Sequence, residues 1–229
     1  FYSNTSIPMT IKVLLGVAIT FCVWNVVAAV HPAPMPSTLI GLVVAVGGEM
    51  TVGLLIGVLV GAAFAGIQLG AHLISQQMGL SMATLYDPSF DEQSTVIEQV
   101  AFWIALTVFL SIGGHRMVVG AVIDSYRAVP LGSGGISGQA LLPLAANALQ
   151  ASSQAATRIA MPALVAFFIA TLTGGLMSRS MPQMNLMSLG ITINLFVGFV
   201  MIGVGLTGWA LVSRDVFHDL FYTFGRLFD

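Results

Sequence analysis

Long runs of apolar residues, separated by short polar patches, set the pattern of this chain. The runs cover residues 11–30, 39–75, 96–112, 141–150, 159–176 and 186–212. A hydrocarbon core about 30 Å thick needs about 20 apolar residues of helix. The stretch HPAPMPS at residues 31–37 ends the first run, because proline removes backbone donors that nothing in lipid replaces. The pattern predicts an all-α integral membrane protein.

The second apolar run is longer than one membrane crossing requires. A single helix over residues 39–75 would be about 55 Å long. The run therefore either breaks near Gly47 and Gly48 or protrudes from the bilayer. Glu49 lies in this run, and a charge at the bilayer centre costs about 2.5 to 3.5 kcal/mol. We expect Glu49 near an interface or facing protein, in a structural role.

Small residues recur at every fourth position along one side of the same run. They are Gly53, Gly57, Gly61 and Ala65. Small residues at this spacing let another helix approach closely, and lipid supplies no hydrophobic drive for packing. The stripe predicts tight helix packing, either within the chain or against another subunit.

The last residues of the chain carry a different pattern. Val216, Leu220 and Phe224 follow a four-residue spacing, with charged residues between them. Such spacing is typical of an amphipathic helix that lies in the membrane interface.

Composition narrows the class of protein. Hydrophobic residues make up 57% of the chain and charged residues only 7%, whereas a soluble domain carries about a quarter charged residues. The net charge is −2 with scattered basic residues, so a nucleic-acid partner is not expected. The single cysteine, Cys22, and four widely separated histidines do not match the spacing of a disulfide framework or a metal site. We expect no cofactor.

These residues bear on two functional classes, an enzyme and a carrier. The sequence GLSMA at residues 79–83 lacks the second glycine of a G-x-S-x-G nucleophile turn, so we expect no enzyme. A stand-alone ion-coupled carrier is the alternative, because Glu49, Asp124 and the Gly and Pro breaks suit ion coupling. Asp124 and Arg127, however, are three residues apart and are expected to pair locally on one helix.

The stretch SQQMGLSMATLYDP at residues 75–88 is too polar for a comfortable span. A helix that ends here leaves backbone N–H and C=O groups without helical hydrogen bonds. At membrane depth such groups are tolerated only where protein covers them or water reaches them. Gly79 lets the backbone turn, and Met78 and Met82 supply adaptable apolar bulk. The Asp87–Pro88 pair is expected to end this non-helical stretch, because a residue before proline avoids helical geometry. The stretch is either an ordinary buried connection or part of a cavity or pore.

The order of several motifs resembles one protein family across nearly the whole chain. The motifs are SNTSIPMTIK at residues 3–12, Gly70, QMGLSMATLYDP at residues 77–88, FLSIGGHRMVVGAVIDSYRAVPLG at residues 109–132, and Pro162, Arg179 and PQMN at residues 182–185. They resemble the FliR family of flagellar type III secretion and its injectisome counterpart SctT, and we favour the flagellar branch. Gly113 stands where that family commonly has Asn, and PQMN replaces PQLN. The family's first apolar segment, which precedes Ser3, is expected to be absent.

The resemblance implies a function and a set of partners. FliR-like proteins assemble, one copy each, with FliP-like and FliQ-like membrane subunits and an FlhB-like subunit into a helical cone through which unfolded substrates thread. The chain is then expected to be one export-gate domain over residues 1–229, a set of helical hairpins resembling a fused FliP–FliQ unit. Its expected location is the bacterial inner membrane within the flagellar basal body, with part of the assembly projecting toward the periplasm.

The resemblance also assigns roles to residues. The family's plug, which occludes the lumen, maps onto residues 78–95. The residues expected in the pore or plug are Gln77, Met78, Gly79, Leu80, Ser81, Met82, Ala83, Asp87 and Pro88. The stripe of Gly53, Gly57, Gly61 and Ala65 is assigned to helix packing or assembly. The polar residues Glu49, His115, Asp124 and Arg127 are expected to be structural.

Overall fold

The computed structural model describes residues 8–30, 38–80, 95–128, 138–178 and 186–228. The described residues form six α-helices and contain no strand. The helices are α1 Met9–Val30, α2 Leu39–Gln77, α3 Val96–Ser111, α4 Gly114–Ala128, α5 Gly138–Ser178 and α6 Leu186–Phe228.

Three described segments are long and apolar enough to cross a membrane, namely Leu39–Gln77, Ala145–Met177 and Gly190–Thr223. Helices α3 and α4 meet the same criterion only as a bent pair. The prediction of an all-α integral membrane protein is confirmed. The arrangement of a fused FliP–FliQ unit stays a prediction.

The overlong second run is one unbroken helix. Helix α2 has 39 residues, which at 1.5 Å per residue is about 58 Å. It passes through Gly47 and Gly48 without a break, so of the two alternatives the continuous helix is the correct one. The hydroxyl of Thr38 accepts a bond from the amide of Gly41 at 3.2 Å and caps the start of the helix.

The two apolar runs at residues 141–150 and 159–176 belong to a single helix, α5, which has 41 residues and contains Pro143 and Pro162. The polar stretch between the runs is helical, although hydropathy alone separates them. Ser153 and Thr157 donate their hydroxyl hydrogens to carbonyls four residues earlier, at 2.9 and 2.8 Å. These hydroxyls are satisfied by the helix itself, so their polarity does not require an exit from it.

The C-terminal pattern also belongs to a longer element. Residues 216–224 are helical as predicted, but they continue α6. Val216 and Phe217 are buried in the protein core. The prediction of an interfacial helix was therefore wrong at Val216, because a helix face that suits a lipid interface equally suits a protein core.

The chain divides into two compact units. Unit 1 consists of residues 1–56, 116–140 and 224–229, and unit 2 consists of residues 57–115 and 141–223. Within the described part of unit 1, Val52, Ile56 and Ala121 are buried. The prediction of one domain over residues 1–229 stays a prediction.

The main hydrophobic core lies in unit 2. It combines buried residues of four helices, including Ile67 and Ile74 of α2, Ala101 of α3, Ile159 of α5 and Phe217 of α6. Phe64, Phe109 and Phe217 form an aromatic group with ring centroids 5.0 to 5.5 Å apart, within the range that favours tilted aromatic pairs. Residues on both sides of the stretch between α2 and α3 belong to this core or pack against it, namely Met78, Leu80 and Ile97.

Helices α2 and α5 approach closely at two glycines. A Cβ on Gly66 would lie 2.5 Å from the carbonyl oxygen of Ser152, and one on Gly70 would lie 2.9 Å from that of Ala156. Only glycine permits this backbone approach. The internal small-residue seam is therefore Gly66 and Gly70. The sequence had indicated Gly70 only through the family resemblance and had not indicated Gly66.

Candidate functional site

Helix α2 ends in a glycine-based C-cap. The amide of Gly79 donates to the carbonyl of Gln76 at 3.1 Å, and the amide of Leu80 donates to that of Ser75 at 3.2 Å. Gly79 has φ of 78°, a left-handed conformation that glycine adopts without strain. These two bonds form a Schellman motif, and the expected turn at Gly79 is confirmed.

Met78 packs inside the protein at this turn. Its side chain is fully buried and lies directly against Gly198 of α6, because a Cβ on Gly198 would collide with the Cγ and Sδ of Met78. Leu80, the last described residue of the turn, packs against the same core. The start of the stretch at residues 78–95 is therefore anchored within unit 2.

The other end of the stretch is fixed by a capping box. Thr95 accepts a hydrogen bond from the amide of Glu98 at 3.4 Å, and the carboxylate of Glu98 accepts one from the amide of Thr95 at 3.3 Å. This reciprocal arrangement satisfies two backbone donors at the start of α3. Thr95 thus marks where the chain re-enters a helix.

Polar side chains join the two ends directly. The hydroxyl oxygens of Ser75 and Thr95 are 2.8 Å apart, and the Nδ1 of His72 lies 2.9 Å from the Oε1 of Glu98. The Nε2 of His72 lies 2.8 Å from the side-chain Nε2 of Gln76. We call these five residues, His72, Ser75, Gln76, Thr95 and Glu98, the loop-base cluster.

One carboxylate oxygen organises the cluster. The Oε1 of Glu98 accepts from the hydroxyl of Thr95 at 2.8 Å, from its amide at 3.3 Å and from the Nδ1 of His72. Hydrogen bonds to an ionised group are about twice as strong as neutral ones. His72 thus links the carboxylate of Glu98, through its Nδ1, to the side-chain amide of Gln76, through its Nε2.

The burial of the cluster adds to its strength. The side chain of Glu98 is 12% exposed and that of His72 is 41% exposed, and Ser75 is fully buried. A buried carboxylate that loses its donors is strongly destabilising. The loop-base cluster therefore resists separation of its two ends.

The structure describes only part of the predicted site. Gln77 is exposed, and Gly79 and Leu80 are half-buried. Five predicted positions lie outside the described residues, namely Ser81, Met82, Ala83, Asp87 and Pro88. The stretch at residues 81–94 enters and leaves the described structure at the loop-base cluster.

The other predicted residues are placed elsewhere. Asp124 and Arg127 form an exposed ion pair on α4 with an N–O distance of 3.0 Å, as their spacing predicts. Glu49 is half-buried in the unit 1 part of α2, and His115 is exposed at the start of α4.

The glycine stripe is exposed along its whole length. Gly53, Gly57, Gly61 and Ala65 are exposed, and apart from the adjoining turns of α2 itself no described atom lies within 4 Å of a Cβ built on any of the three glycines. Among the described residues, nothing in the chain covers this stripe.

Sequence analysis missed the loop-base cluster, although one signal for it was visible. The residues Thr95-x-x-Glu98 before an apolar run match the capping-box pattern. Their contacts with Ser75 and His72 could not be predicted, because they join residues 20 and 26 positions apart.

One small cavity is lined by described residues. This cavity of about 60 Å³ lies between α2, α5 and α6, next to Leu59, Ala63, Asn147 and Asp219, whereas ligand pockets reach about 300 to 1,000 Å³. Within the same residues, no group of three or more His, Cys, Asp or Glu side chains could hold a metal ion.

Long apolar helices of this kind define an integral membrane protein. Residues 1–220 match the family described as bacterial export proteins, family 1, and the chain belongs to this family.

Known relatives extend over most of the chain. It is 27% identical over 226 residues to the flagellar biosynthetic protein FliR of Escherichia coli K12, covering 96% of this chain and 82% of that protein. It is 25% identical over 227 residues to the FliR of Aquifex aeolicus, covering 98% and 85%. It is 26% identical over 171 residues to that of Bacillus subtilis, covering 74% and 66%.

The departure noted at Gly113 has a structural explanation. Gly113 follows α3 with φ of 75°, and its amide donates to the carbonyl of Leu110 at 3.1 Å. Asn is the residue that most often replaces Gly in this left-handed position. Gly114 differs, because a Cβ there would lie 2.5 Å from the ring of Phe109. Position 113 thus allows Gly or Asn, whereas position 114 requires Gly.

Proposed function

We propose that this protein is the FliR-like subunit of a flagellar type III export gate. Family membership over residues 1–220 carries the proposal. In this proposal, one copy assembles with FliP-like and FliQ-like membrane subunits and an FlhB-like subunit. The complex forms the pore through which unfolded flagellar proteins leave the cell. The gate lies in the inner membrane, projects in part toward the periplasm, and draws on other components for energy.

The stretch at residues 78–95 serves as the plug of that pore. Its anchored ends support this role, because a plug must remain attached to its subunit while substrate displaces its middle. Met78 then acts as an anchor against Gly198, and the sealing contacts belong to the residues that follow it.

The exposed stripe of Gly53, Gly57 and Gly61 supplies the assembly surface. Glycine has no side chain to pack against lipid, but it allows another helix to approach closely. The exposure of all three glycines in the single chain supports a partner subunit as the neighbour.

A native mass spectrum tests the assembly. The tagged protein is purified from its host in mild detergent. The proposal expects a mass far above that of the chain, with one copy among several small membrane subunits. A monomer or symmetric homodimer, under conditions that preserve other membrane complexes, would contradict the proposal and favour a carrier.

A loop replacement tests the plug. Residues 81–94 are replaced by a Gly/Ser sequence of equal length, which leaves the loop-base cluster intact. Potassium efflux from vesicles that contain the assembled complex should rise severalfold, because the lumen loses its seal. The matched control replaces residues 129–137 in the same way and should leave efflux unchanged. Equal efflux from both variants and the parent would refute the plug.

A further inference from the structure

One side of α5 carries polar side chains over about three helical turns. Asn147, Gln150, Gln154 and Arg158 follow one another at intervals of three or four residues, so they lie on the same side of the helix. All four are exposed. At 1.5 Å per residue, the distance from the first to the last is about 17 Å. We call these four residues the polar row.

The polar row lies opposite the side of α5 that packs within unit 2. Ser152 and Ala156 lie against Gly66 and Gly70 of α2, and both are buried. At 3.6 residues per turn, Gln154 lies about 200° around the helix from Ser152. Within the described part of the chain, none of the four side chains takes part in a hydrogen bond or an ion pair. Packing inside unit 2 therefore does not account for their polarity.

A membrane boundary at this level does not account for it either. Gly66 meets Ser152 and Gly70 meets Ala156, so α2 and α5 run in the same direction and their residues can be matched by level. A boundary would make the exposed residues of both helices polar. The exposed residues of α2 level with the polar row are instead Gly61, Ala65 and Leu69. Unit 2 thus has a polar side and an apolar side at one level.

The side chains of the polar row suit water better than lipid or a closely packed helix. Ionisable residues in membrane segments face water-filled spaces or polar partners, because lipid cannot solvate them. Close helix packing needs small residues, whereas Gln150, Gln154 and Arg158 are long. The cavity of about 60 Å³ beside Asn147 is also lined by Asp219 and Thr223, and a polar cavity above about 15 Å³ has room for water.

The polar row ends at a proline. Pro162 lies inside α5 and has no amide hydrogen, so the carbonyl of Arg158 lacks the usual donor four residues further on. On the same side of the helix beyond Arg158, the exposed residues are Met161, Val165 and Phe168, which are all apolar. The polar surface is therefore confined to the part of α5 before Pro162, and the carbonyl of Arg158 adds an acceptor to it.

We propose that the polar row is a wall of the water-filled export pore and contacts the unfolded chain that passes through it. The proposal rests on the export-gate function proposed above. Asn and Gln amides both donate and accept hydrogen bonds, so they can bind the backbone of any sequence. A row of 17 Å spans about five residues of an extended chain. Arg158 supplies the only charge of the row and attracts acidic segments of the substrate.

Cysteine labelling tests the position of the polar row. Gln154→Cys is combined with Cys22→Ser, which leaves no other cysteine in the chain. Vesicles that contain the assembled complex are treated with a membrane-impermeant thiol reagent. Gln154→Cys should react severalfold faster than the matched variant Leu69→Cys, whose position is level with it on the apolar side. Slow labelling in the complex but fast labelling of the isolated chain would place a partner subunit on the row and overturn the proposal.

A stalled substrate separates the pore from other water. An export substrate fused to a domain too stable to unfold is trapped in the complex, and it should slow the labelling of Gln154→Cys severalfold. The same domain without the export substrate is the control and should leave labelling unchanged. Fast labelling that the stalled substrate does not slow would place the row in water outside the pore and refute the wall.

The composition of the complex distinguishes failure of the wall from failure of the gate. The native mass spectrum is taken on the same Gln154→Cys preparation. The expected complex together with unprotected Gln154→Cys would refute the wall alone. A chain without partner subunits, in the variant and in the parent, would refute the export gate and the wall with it.

The charge of Arg158 is tested with substrates of different charge. Arg158→Gln keeps a long polar side chain without the charge. The export rate of a substrate with acidic segments, relative to one in which they are neutral, should fall severalfold, because the attraction is lost. Arg214→Gln, at an exposed position of α6 outside the row, is the matched control and should leave the ratio unchanged. The parental ratio in Arg158→Gln would contradict a contact between Arg158 and the substrate.

Discussion

Helix α2 carries two sets of glycines with the same spacing and opposite surroundings. Gly57 and Gly61 are exposed, and no described atom approaches their Cβ positions. Gly66 and Gly70, one to three turns further along, lie against the backbone of α5 at distances that exclude any side chain. The same four-residue motif is thus used once inside the chain and once on its surface.

The difference lies in what faces each set. Opposite Gly66 and Gly70 are Ser152 and Ala156, which are small and buried. Close approach of two helices needs small residues on both sides, and lipid gives no other reason for it. A glycine pair therefore predicts where a helix can be approached, and only the partner helix decides whether the approach happens within the chain.

The largest loss of stability should come from a side chain added at Gly66 or Gly70, the glycines that lie against α5. Gly66→Leu places a side chain against the backbone oxygen of Ser152 and should destabilise the chain by about 3 kcal/mol. The measurement is thermal unfolding of the purified protein in mild detergent. Gly57→Leu is the matched control, because its position is open. Equal unfolding temperatures for the two variants would remove the distinction between the two sets.

The next largest effect should be on the yield of the assembled complex and not on the stability of the single chain. Gly57→Leu should leave the unfolding of the single chain nearly unchanged but lower the yield of the complex severalfold, because the added side chain keeps a partner helix away. The yield is measured by affinity purification through the tag. Normal yield would show that the exposed glycines face lipid and would end their assignment to an interface.

Sequence analysis predicted the helices well and the contacts poorly, and α5 shows why. Its polar middle, with Ser152 and Arg158, reads as a break on hydropathy, yet it is helical, and hydroxyls in it donate to carbonyls of the helix itself. The cap at Gly79 was predictable from local turn chemistry. The contacts of Gly66 with Ser152 and of His72 with Glu98 depend on which helices become neighbours, which no local pattern contains.

A smaller loss of stability is expected at Gly198, where the neighbour is a flexible side chain rather than a backbone. Gly198 lies against Met78, and Met adapts its shape more readily than a backbone does. Gly198→Ala should therefore destabilise by only about 1 kcal/mol, measured by the same unfolding experiment. Gly203→Ala, at an open position of α6, is the control. A loss as large as that of Gly66→Leu would mean that Met78 is held rigidly.

The smallest effect should have the opposite sign and separates the two roles of glycine most sharply. Gly61→Ala adds a methyl group where no described atom lies within 4 Å, and alanine restricts the unfolded chain more than glycine does. The single chain should gain about 0.5 to 1 kcal/mol of stability. In the assembled complex that gain should disappear or reverse, because a partner helix seated on the stripe would meet the methyl group. A gain that persists unchanged in the complex would place Gly61 outside every interface, and the stripe would then contribute to assembly only through Gly53 and Gly57.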